Sequence, residues 1–344
     1  MPIKLSGSEP GTLAAMTGSD RRRVAAWLLL CAALVFLIVL VGGVTRLTRS
    51  GLSIVEWQPL IGVLPPLSEA HWQALFAKYQ LTPEYKLVNL GMDLEGFKRI
   101  FWWEYLHRLL ARLIGFVFLL PLLWFQFAGK LERALAWKLW GIFALGALQG
   151  AMGWIMVKSG LVDDPKVSPV RLTMHLGLAL AIFSAELWIA LGLLVPREGR
   201  APRLAAVLPW LIFAMALSGG MVAGLRAGSA YQTFPLMDGH WVPPEVLVLE
   251  PWWRNFLYNM ATVQLVHRGF FWLLAVLVLL AWWRQRREPS AHALLAAFAL
   301  QASLGIATLL SGVPVGLGAA HQGGAVVFLA AAIWHAHRPG RAAR

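Results

Sequence analysis

Residues 103–127 read WEYLHRLLARLIGFVFLLPLLWFQF, and residues 259–283 read NMATVQLVHRGFFWLLAVLVLLAWW. Both stretches are long and apolar enough to cross the hydrocarbon core of a bilayer, which takes about 20 residues of α-helix. Each carries a histidine near its start, His107 or His267, followed directly by an arginine. An ionisable side chain inside a membrane is costly, so the two stretches predict membrane-spanning helices with a functional histidine in each.

The rest of the chain has the same apolar character. Of its residues 58% are hydrophobic and only 14% are charged, whereas soluble domains carry roughly 25% charged residues. The span after Arg21-Arg22-Arg23 has no small-residue cleavage site behind it, so we expect an uncleaved anchor. We predict an all-α membrane protein with eight transmembrane helices, at residues 24–44, 103–127, 134–157, 170–194, 204–225, 259–283, 291–311 and 317–336.

The net charge of +13 is explained by the positive-inside rule rather than by a nucleic-acid partner, because no soluble basic domain is present to bind one. With eight spans, the Lys/Arg clusters all fall on one side of the bilayer, which predicts cytoplasmic tails at residues 1–23 and 338–344. These clusters are Arg21, Arg22 and Arg23; Lys130, Arg133 and Lys138; Arg197, Arg200 and Arg203; Arg284, Arg286 and Arg287; and Arg338, Arg341 and Arg344.

The two halves of the chain repeat the same landmarks in the same order. Four spans per repeat is an even number, so both repeats point the same way, and a pseudo-twofold axis should run along the membrane normal. We predict two tandem four-helix bundles, residues 24–195 and 204–337, with an outer loop at 46–102 folded as short helices over the first. The landmarks with their counterparts are Gly42-Gly43 and Gly219-Gly220; Glu104-x-x-His107-Arg108 and Gln264-x-x-His267-Arg268; Gln149-x-x-x-Gly153 and Gln301-x-x-x-Gly305; and His175 and His321.

Four histidines at similar depth supply two pairs of candidate metal ligands. Neutral imidazole is a common axial ligand of haem iron. We therefore predict two bis-histidine tetrapyrrole sites, one between His107 and His175 and one between His267 and His321. The alternative is a transporter whose histidines only form hydrogen bonds between helices, and it predicts no tetrapyrrole at all.

The two predicted sites differ in one residue. Glu104 shares a helix face with His107, whereas Gln264 at the corresponding position cannot ionise. A carboxylate beside a ligand can orient the imidazole, move protons or stabilise a cation; the alternative is that it only favours a helix start. We expect the reactive site in the N-terminal half and an electron-transfer haem in the C-terminal half. Arg108 and Arg268 are candidate partners of haem propionates.

Other candidate groups are weaker. Cys31 is the one cysteine, so no disulfide forms within the chain. Glu186 lies within a span and receives no role. Five further histidines are expected at the surface or at the membrane interface: His71, His240, His292, His335 and His337.

The chain resembles a known family, the haem A synthases of aerobic bacteria and mitochondria. The matching stretches run through the whole chain in the family's order. Some family members carry a cysteine pair in the first outer loop, and this chain has none there, so it is closer to the proteobacterial and mitochondrial subgroup. The stretches are GGVTRLTRSGLS at 42–53, Pro65-Pro66, Glu104-x-x-His107-Arg108, Gln264-x-x-His267-Arg268 and His321-Gln322.

The resemblance implies an oxidoreductase of the bacterial inner membrane that oxidises the C8 methyl group of haem O to a formyl group, giving haem A for cytochrome oxidase. It implies haem b held by His267 and His321, with a substrate site formed by His107, His175 and Glu104. It also implies partners: an electron donor such as a ferredoxin-like protein, a haem O synthase and a second copy of the chain. The runner-up is a non-catalytic di-haem electron-transfer protein of the cytochrome b type.

Overall fold

The computed structural model describes residues 16–56, 62–161, 165–195 and 201–337, and this part of the chain is helical without strands. Among the described helices, eight are long and apolar enough to cross a membrane, which confirms the predicted number of spans. Most of the predicted N-terminal tail and the whole C-terminal tail lie outside the described residues. The α-helices are α1 (Gly18–Leu47), α2 (Glu69–Gln80), α3 (Pro83–Leu87), α4 (Leu94–Phe127), α5 (Arg133–Ser159), α6 (Pro169–Leu194), α7 (Arg203–Leu225), α8 (Asn255–Tyr258), α9 (Met260–Arg284), α10 (Pro289–Leu310) and α11 (Val315–His337).

The start of α4 differs from the prediction. The helix begins at Leu94, well before residue 103, because the Asp93 side chain accepts the Gly96 N–H at 2.8 Å and caps the helix there. The added turns place Phe97 and Phe101, both buried, on one face. The apolar pattern of the span alone could not reveal these turns, since they are buried by the outer loop and not by lipid.

Short helices form in the long loop between α1 and α4, as expected from its aromatic residues. The Trp72 ring of α2 lies 4.9 Å from the ring of Phe101, and Tyr79 stacks on Phe97 at 5.2 Å. Glu84 of α3 is also buried, and this burial raises the pKa of its carboxyl group, although nearby arginines act in the opposite direction. The loop therefore has its own small core, which fixes it to the N-terminal end of α4.

The eight spans pack around a central group formed by α1, α6, α7 and α11. Helix α1 contacts α4, α6 and α11, while α7 contacts α6, α9 and α11. Helices α5 and α10 pack on α6 and α11 respectively. These contacts fit two groups of four helices, α1 with α4–α6 and α7 with α9–α11; the pseudo-twofold axis between them stays a prediction.

The packed core occupies only one end of the spans. The fully buried apolar residues come from the first part of α1, α5, α7 and α10 and from the last part of α4, α6, α9 and α11; they include Leu28, Leu122, Leu139, Leu180, Leu208, Leu274, Leu294 and Phe328. We call this the core end. The opposite end, where the first outer loop and residues 226–258 lie, is the loop end. All four predicted ligand histidines lie toward the loop end, and their rings are half-buried.

Candidate functional site

Each of the four histidines packs against a glycine of a neighbouring helix. If the glycine carried a Cβ atom, that atom would lie about one carbon diameter or less from Cε1 of the imidazole ring. The closest distances are 3.0 Å for Gly42 and His107, 3.0 Å for Gly153 and His175, 3.2 Å for Gly219 and His267, and 2.8 Å for Gly305 and His321.

These contacts explain why glycine stands in the middle of four spans. Glycine in a helix interior costs about 1 kcal/mol relative to alanine, so its presence needs a packing reason. Here the reason is the imidazole, which lies directly against the glycine backbone and could not do so beside a side chain. The same arrangement recurs four times, in α1, α5, α7 and α10, at the landmarks that relate the two halves of the sequence.

The histidines of the C-terminal half face each other across a gap that fits a metal ion. The ring centroids of His267 and His321 are 6.4 Å apart and their planes are at 87°. Two imidazole nitrogens bound on opposite sides of one metal ion, at about 2 Å each, place the ring centres roughly 6 Å apart. In the N-terminal half, His107 is close enough to His175 for the two rings to interact electrostatically.

The surroundings favour a metal held in a macrocycle. No group of three or more His, Cys, Asp or Glu side chains that could hold a bare metal ion occurs in the described residues, and a structural site for a bare ion such as zinc takes four protein ligands. A haem iron needs only two axial ligands from the protein. The residues present therefore fit a tetrapyrrole in each half of the molecule.

Three of the histidines have an unpartnered ring nitrogen. The Nδ1 atoms of His107, His175 and His321 are buried without a hydrogen bond. Backbone carbonyl groups of Gln149, Gln301 and Met215 approach the rings of His175, His321 and His267 respectively. The fourth ring differs, because Nδ1 of His267 lies 2.8 Å from Oγ of Ser218.

Glu104 is buried and its carboxylate is fully occupied. Oε2 accepts the Ser53 hydroxyl at 2.7 Å and the Ile54 N–H at 2.8 Å, and Oε1 accepts two N–H groups of Arg108 at 2.6 and 3.0 Å. Arg108 also donates to the carbonyl groups of Ile54 and Glu56. The carboxylate thus ties the first residues of the outer loop to the helix that carries His107.

The corresponding contact in the C-terminal half has the opposite polarity. Gln264 donates its amide N–H to the carbonyl group of Tyr231 at 2.9 Å, while its side-chain oxygen is buried without a partner. Arg268 donates to the carbonyl groups of Tyr231, Pro235 and Leu236. Glu104 is therefore an acceptor for its loop and Gln264 is a donor to its loop, so the sequence difference is also a structural one.

The two arginines proposed as propionate partners both bind loop backbone, with two hydrogen bonds from Arg108 and three from Arg268. Arg108 donates four N–H groups to Glu104, Ile54 and Glu56, and Nε of Arg268 is buried without a partner. Their positive charges still lie at the loop end beside the histidines. A role toward propionates stays a prediction, and the loops are their direct partners.

Two of the remaining histidines were predicted wrongly. His335 and His337 are buried, with 0% and 3% of their surface exposed, because α11 packs its last turns into the core end. His335 pairs with the Ser290 hydroxyl at 3.1 Å, and the His337 ring packs on Trp188 at 5.3 Å. The other three, His71, His240 and His292, are exposed as expected.

Sequence reasoning did not pair the glycines with the histidines, and it missed Ser218. The glycines were recognised as landmarks of the repeat, and their mid-span positions were the available signal for close packing. Ser218 gave no such signal, because a serine in an apolar helix commonly bonds only to the preceding turn.

Comparisons with known proteins cover nearly the whole chain. A family model described as cytochrome oxidase assembly protein matches residues 25–333. A protein named heme A synthase from Nitrosospira multiformis is 56% identical over 332 residues, covering 92% of this chain and 93% of the relative. Proteins of the same name from Nitrosomonas eutropha and Parvibaculum lavamentivorans are each 48% identical, covering 97% and 94% of this chain and 98% and 96% of the relatives.

Proposed function

The chain belongs to the family of cytochrome oxidase assembly proteins, and on that premise we propose that it is a membrane oxidoreductase that makes haem A from haem O. The observation that carries the proposal is the pair of histidine sites at the loop end, where each imidazole ring packs against a glycine. Four such contacts in one membrane protein support two tetrapyrroles, a cofactor and a substrate.

The C-terminal half is assigned to the cofactor, haem b. His267 and His321 would supply its axial ligands, since their separation of 6.4 Å matches a shared metal ion. When bound, this haem supplies one-electron transfer. The residue that replaces the carboxylate here is Gln264, which is neutral, so this position cannot take part in proton transfer.

The N-terminal half is assigned to the substrate, haem O. His107 and His175 would hold its iron, and Arg108, with Arg268 in the other half, would contribute positive charge toward propionates. The C8 methyl group is oxidised stepwise, through an alcohol and a geminal diol that loses water to leave the formyl group. The cofactor site would relay electrons supplied by a donor such as a ferredoxin-like protein.

Glu104 is assigned the chemical role, as a carboxylate that stabilises positive charge or holds a proton near the methyl group. Its position one helical turn from His107 supports this, since both lie on one face of α4. The ion pair with Arg108 and the two loop contacts hold the carboxylate in one position. An ionised, preorganised carboxylate stabilises developing positive charge without the cost of rearrangement.

The loops at this end would close the site. Arg108 binds Ile54 and Glu56 of the first loop, and Arg268 binds Tyr231 and Leu236 of the second. Both loops are thereby fixed over the histidines of their own half. We further propose that this end faces outward, with both termini cytoplasmic in the bacterial inner membrane, and that a haem O synthase and a second copy of the chain are partners there.

The test is product analysis. The chain is produced in cells that make haem O but lack their own enzyme for its oxidation, and the extracted pigments are separated. Haem A should appear with the intact chain and disappear in His107→Ala and His175→Ala, while haem b stays bound to both variants. Unchanged haem O beside normal haem b in the intact chain would instead identify an electron-transfer protein, and the absence of any bound tetrapyrrole would remove both interpretations.

A further inference from the structure

A single hydroxyl group distinguishes His267 from the other three histidines. Ser218 lies in α7 directly before Gly219, and its Oγ is 2.8 Å from Nδ1 of His267. We propose that Ser218 is a positioning residue, which fixes His267 with its proton on Nδ1 and so marks the C-terminal site as the one that retains its tetrapyrrole. The inference rests on the proposed function and deepens it.

The direction of the hydrogen bond follows from counting protons. A serine hydroxyl has one proton, and the Ser218 hydroxyl donates it to the carbonyl group of Met215 at 2.7 Å. Oγ is left as an acceptor, so the contact at 2.8 Å requires the proton to be on Nδ1 of His267. The lone pair is then on Nε2, which is the form of imidazole that binds a metal ion.

The same contact is missing from the other three histidines. The residues that precede the facing glycines there are Val41, Met152 and Leu304, and none of them has a hydroxyl group. Accordingly, Nδ1 of each of the other three rings, in His107, His175 and His321, is buried without a partner. The hydroxyl is therefore a difference between sites that are otherwise built alike.

A hydrogen bond of this kind has two effects on a ligand. It holds the ring in one orientation and tautomer, and it raises the basicity of the other nitrogen. The first effect slows dissociation of the metal. The second stabilises the oxidised metal more than the reduced one, which lowers the reduction potential.

These effects suit a retained cofactor and do not suit a substrate that must leave. A product haem has to be released after each turnover, and ligands without a second hydrogen bond, such as His107, release it more readily. A cofactor that only transfers electrons gains from a rigid ligand. The position of Ser218 in the C-terminal half thus agrees with the assignment of cofactor and substrate sites proposed from Glu104 and Gln264. It is a separate observation, because the contact with His267 involves neither of those residues.

The experiment compares Ser218→Ala with Ser218→Thr in the purified holoprotein. Threonine at this position can still bond to the preceding turn and can keep the contact with His267. The matched control is Ser303→Ala, which removes an exposed serine from α10. The readouts are a potentiometric titration of the low-spin haem b absorbance and the rate at which haem b transfers to a haem-binding acceptor protein.

Ser218→Ala should raise the potential and speed the loss of haem b. One hydrogen bond is worth roughly a threefold to tenfold change in either equilibrium or rate, which for a one-electron couple is about 28 to 59 mV. Ser218→Thr and Ser303→Ala should match the unmodified chain. If Ser218→Ala has the same potential and transfer rate as Ser303→Ala while His267→Ala loses haem b, the role of Ser218 is refuted and the haem b site stands. If neither the variants nor the unmodified protein holds haem b, the proposed function itself is refuted.

Discussion

Replacing Gly305 by alanine should weaken the binding of haem b without unfolding the protein. The new methyl group would lie 2.8 Å from Cε1 of His321, whereas carbon atoms in contact are normally about 3.5–4.0 Å apart. The ring must therefore move by roughly 0.7 Å or more, away from α10. A ring so displaced no longer matches the separation of 6.4 Å that suits two ligands of one metal ion.

The size of the effect follows from the cost of overpacking. Extra methylene groups in a packed site cost about 1–3 kcal/mol, which corresponds to a roughly 5-fold to 150-fold weaker affinity for the haem. Gly219→Ala should fall at the low end of this range, because its Cβ would be 3.2 Å from the ring of His267 and a shift of a few tenths of an ångström relieves the contact. The two variants form a graded pair within one site.

The assay is the haem b content per protein and the rate of haem b transfer to an acceptor protein. The matched control is Gly316→Ala, at an exposed helical position of α11 with nothing within 4 Å of the added Cβ; alanine there should stabilise the helix by up to about 1 kcal/mol. Gly42→Ala serves as a second control, since it disturbs only the site of His107. If Gly305→Ala keeps the haem b content and the haem b transfer rate of the unmodified chain, Gly305 is not the packing partner of a metal-bound imidazole.

Three further predictions concern the sites and the topology. His267→Ala and His321→Ala should each lower the low-spin haem b signal, and unchanged spectra in both would remove the ligand assignment. Glu104→Gln should lower haem A output on the order of 100-fold with haem b near wild type, while Ser53→Ala, which removes one loop contact and leaves the carboxylate, should cost about tenfold or less; equal losses in the two variants would reduce Glu104 to a loop anchor. Reporter fusions at position 80 and at the C-terminus should give opposite readouts, and identical readouts would mean that the number of spans is wrong.

The sequence was sufficient to predict the eight spans and the four histidines that the structure brings together in two pairs. Both predictions rest on a strong physical constraint, because a bilayer demands long apolar helices and penalises ionisable groups within them. The difference between Glu104 and Gln264 could also be read from the sequence, because an ionisable residue within a span stands out against a neutral one at the corresponding position.

Contacts between segments distant in the sequence could not be predicted in this way. Arg108 was expected to face a propionate, and in the structure it also holds loop carbonyl groups more than fifty residues away along the chain. The buried position of His335 depends on how α11 packs with Ser290 of α10, which no local pattern records. Ser218 belongs to the same class, since only the arrangement of α7 beside α9 gives its hydroxyl a histidine to bind.

The separation of the packed core from the histidines has a consequence for the biogenesis of the protein. The core end, built from residues such as Leu28, Leu180 and Phe328, is packed mainly through apolar contacts, so assembly of the helices in the membrane would not require an iron porphyrin. Under the proposed function, haem loading would be a late step of maturation, unlike in zinc fingers, where the metal is needed for the chain to fold at all. A cell short of iron would accumulate an assembled, empty precursor, which could be filled without new synthesis once iron returned.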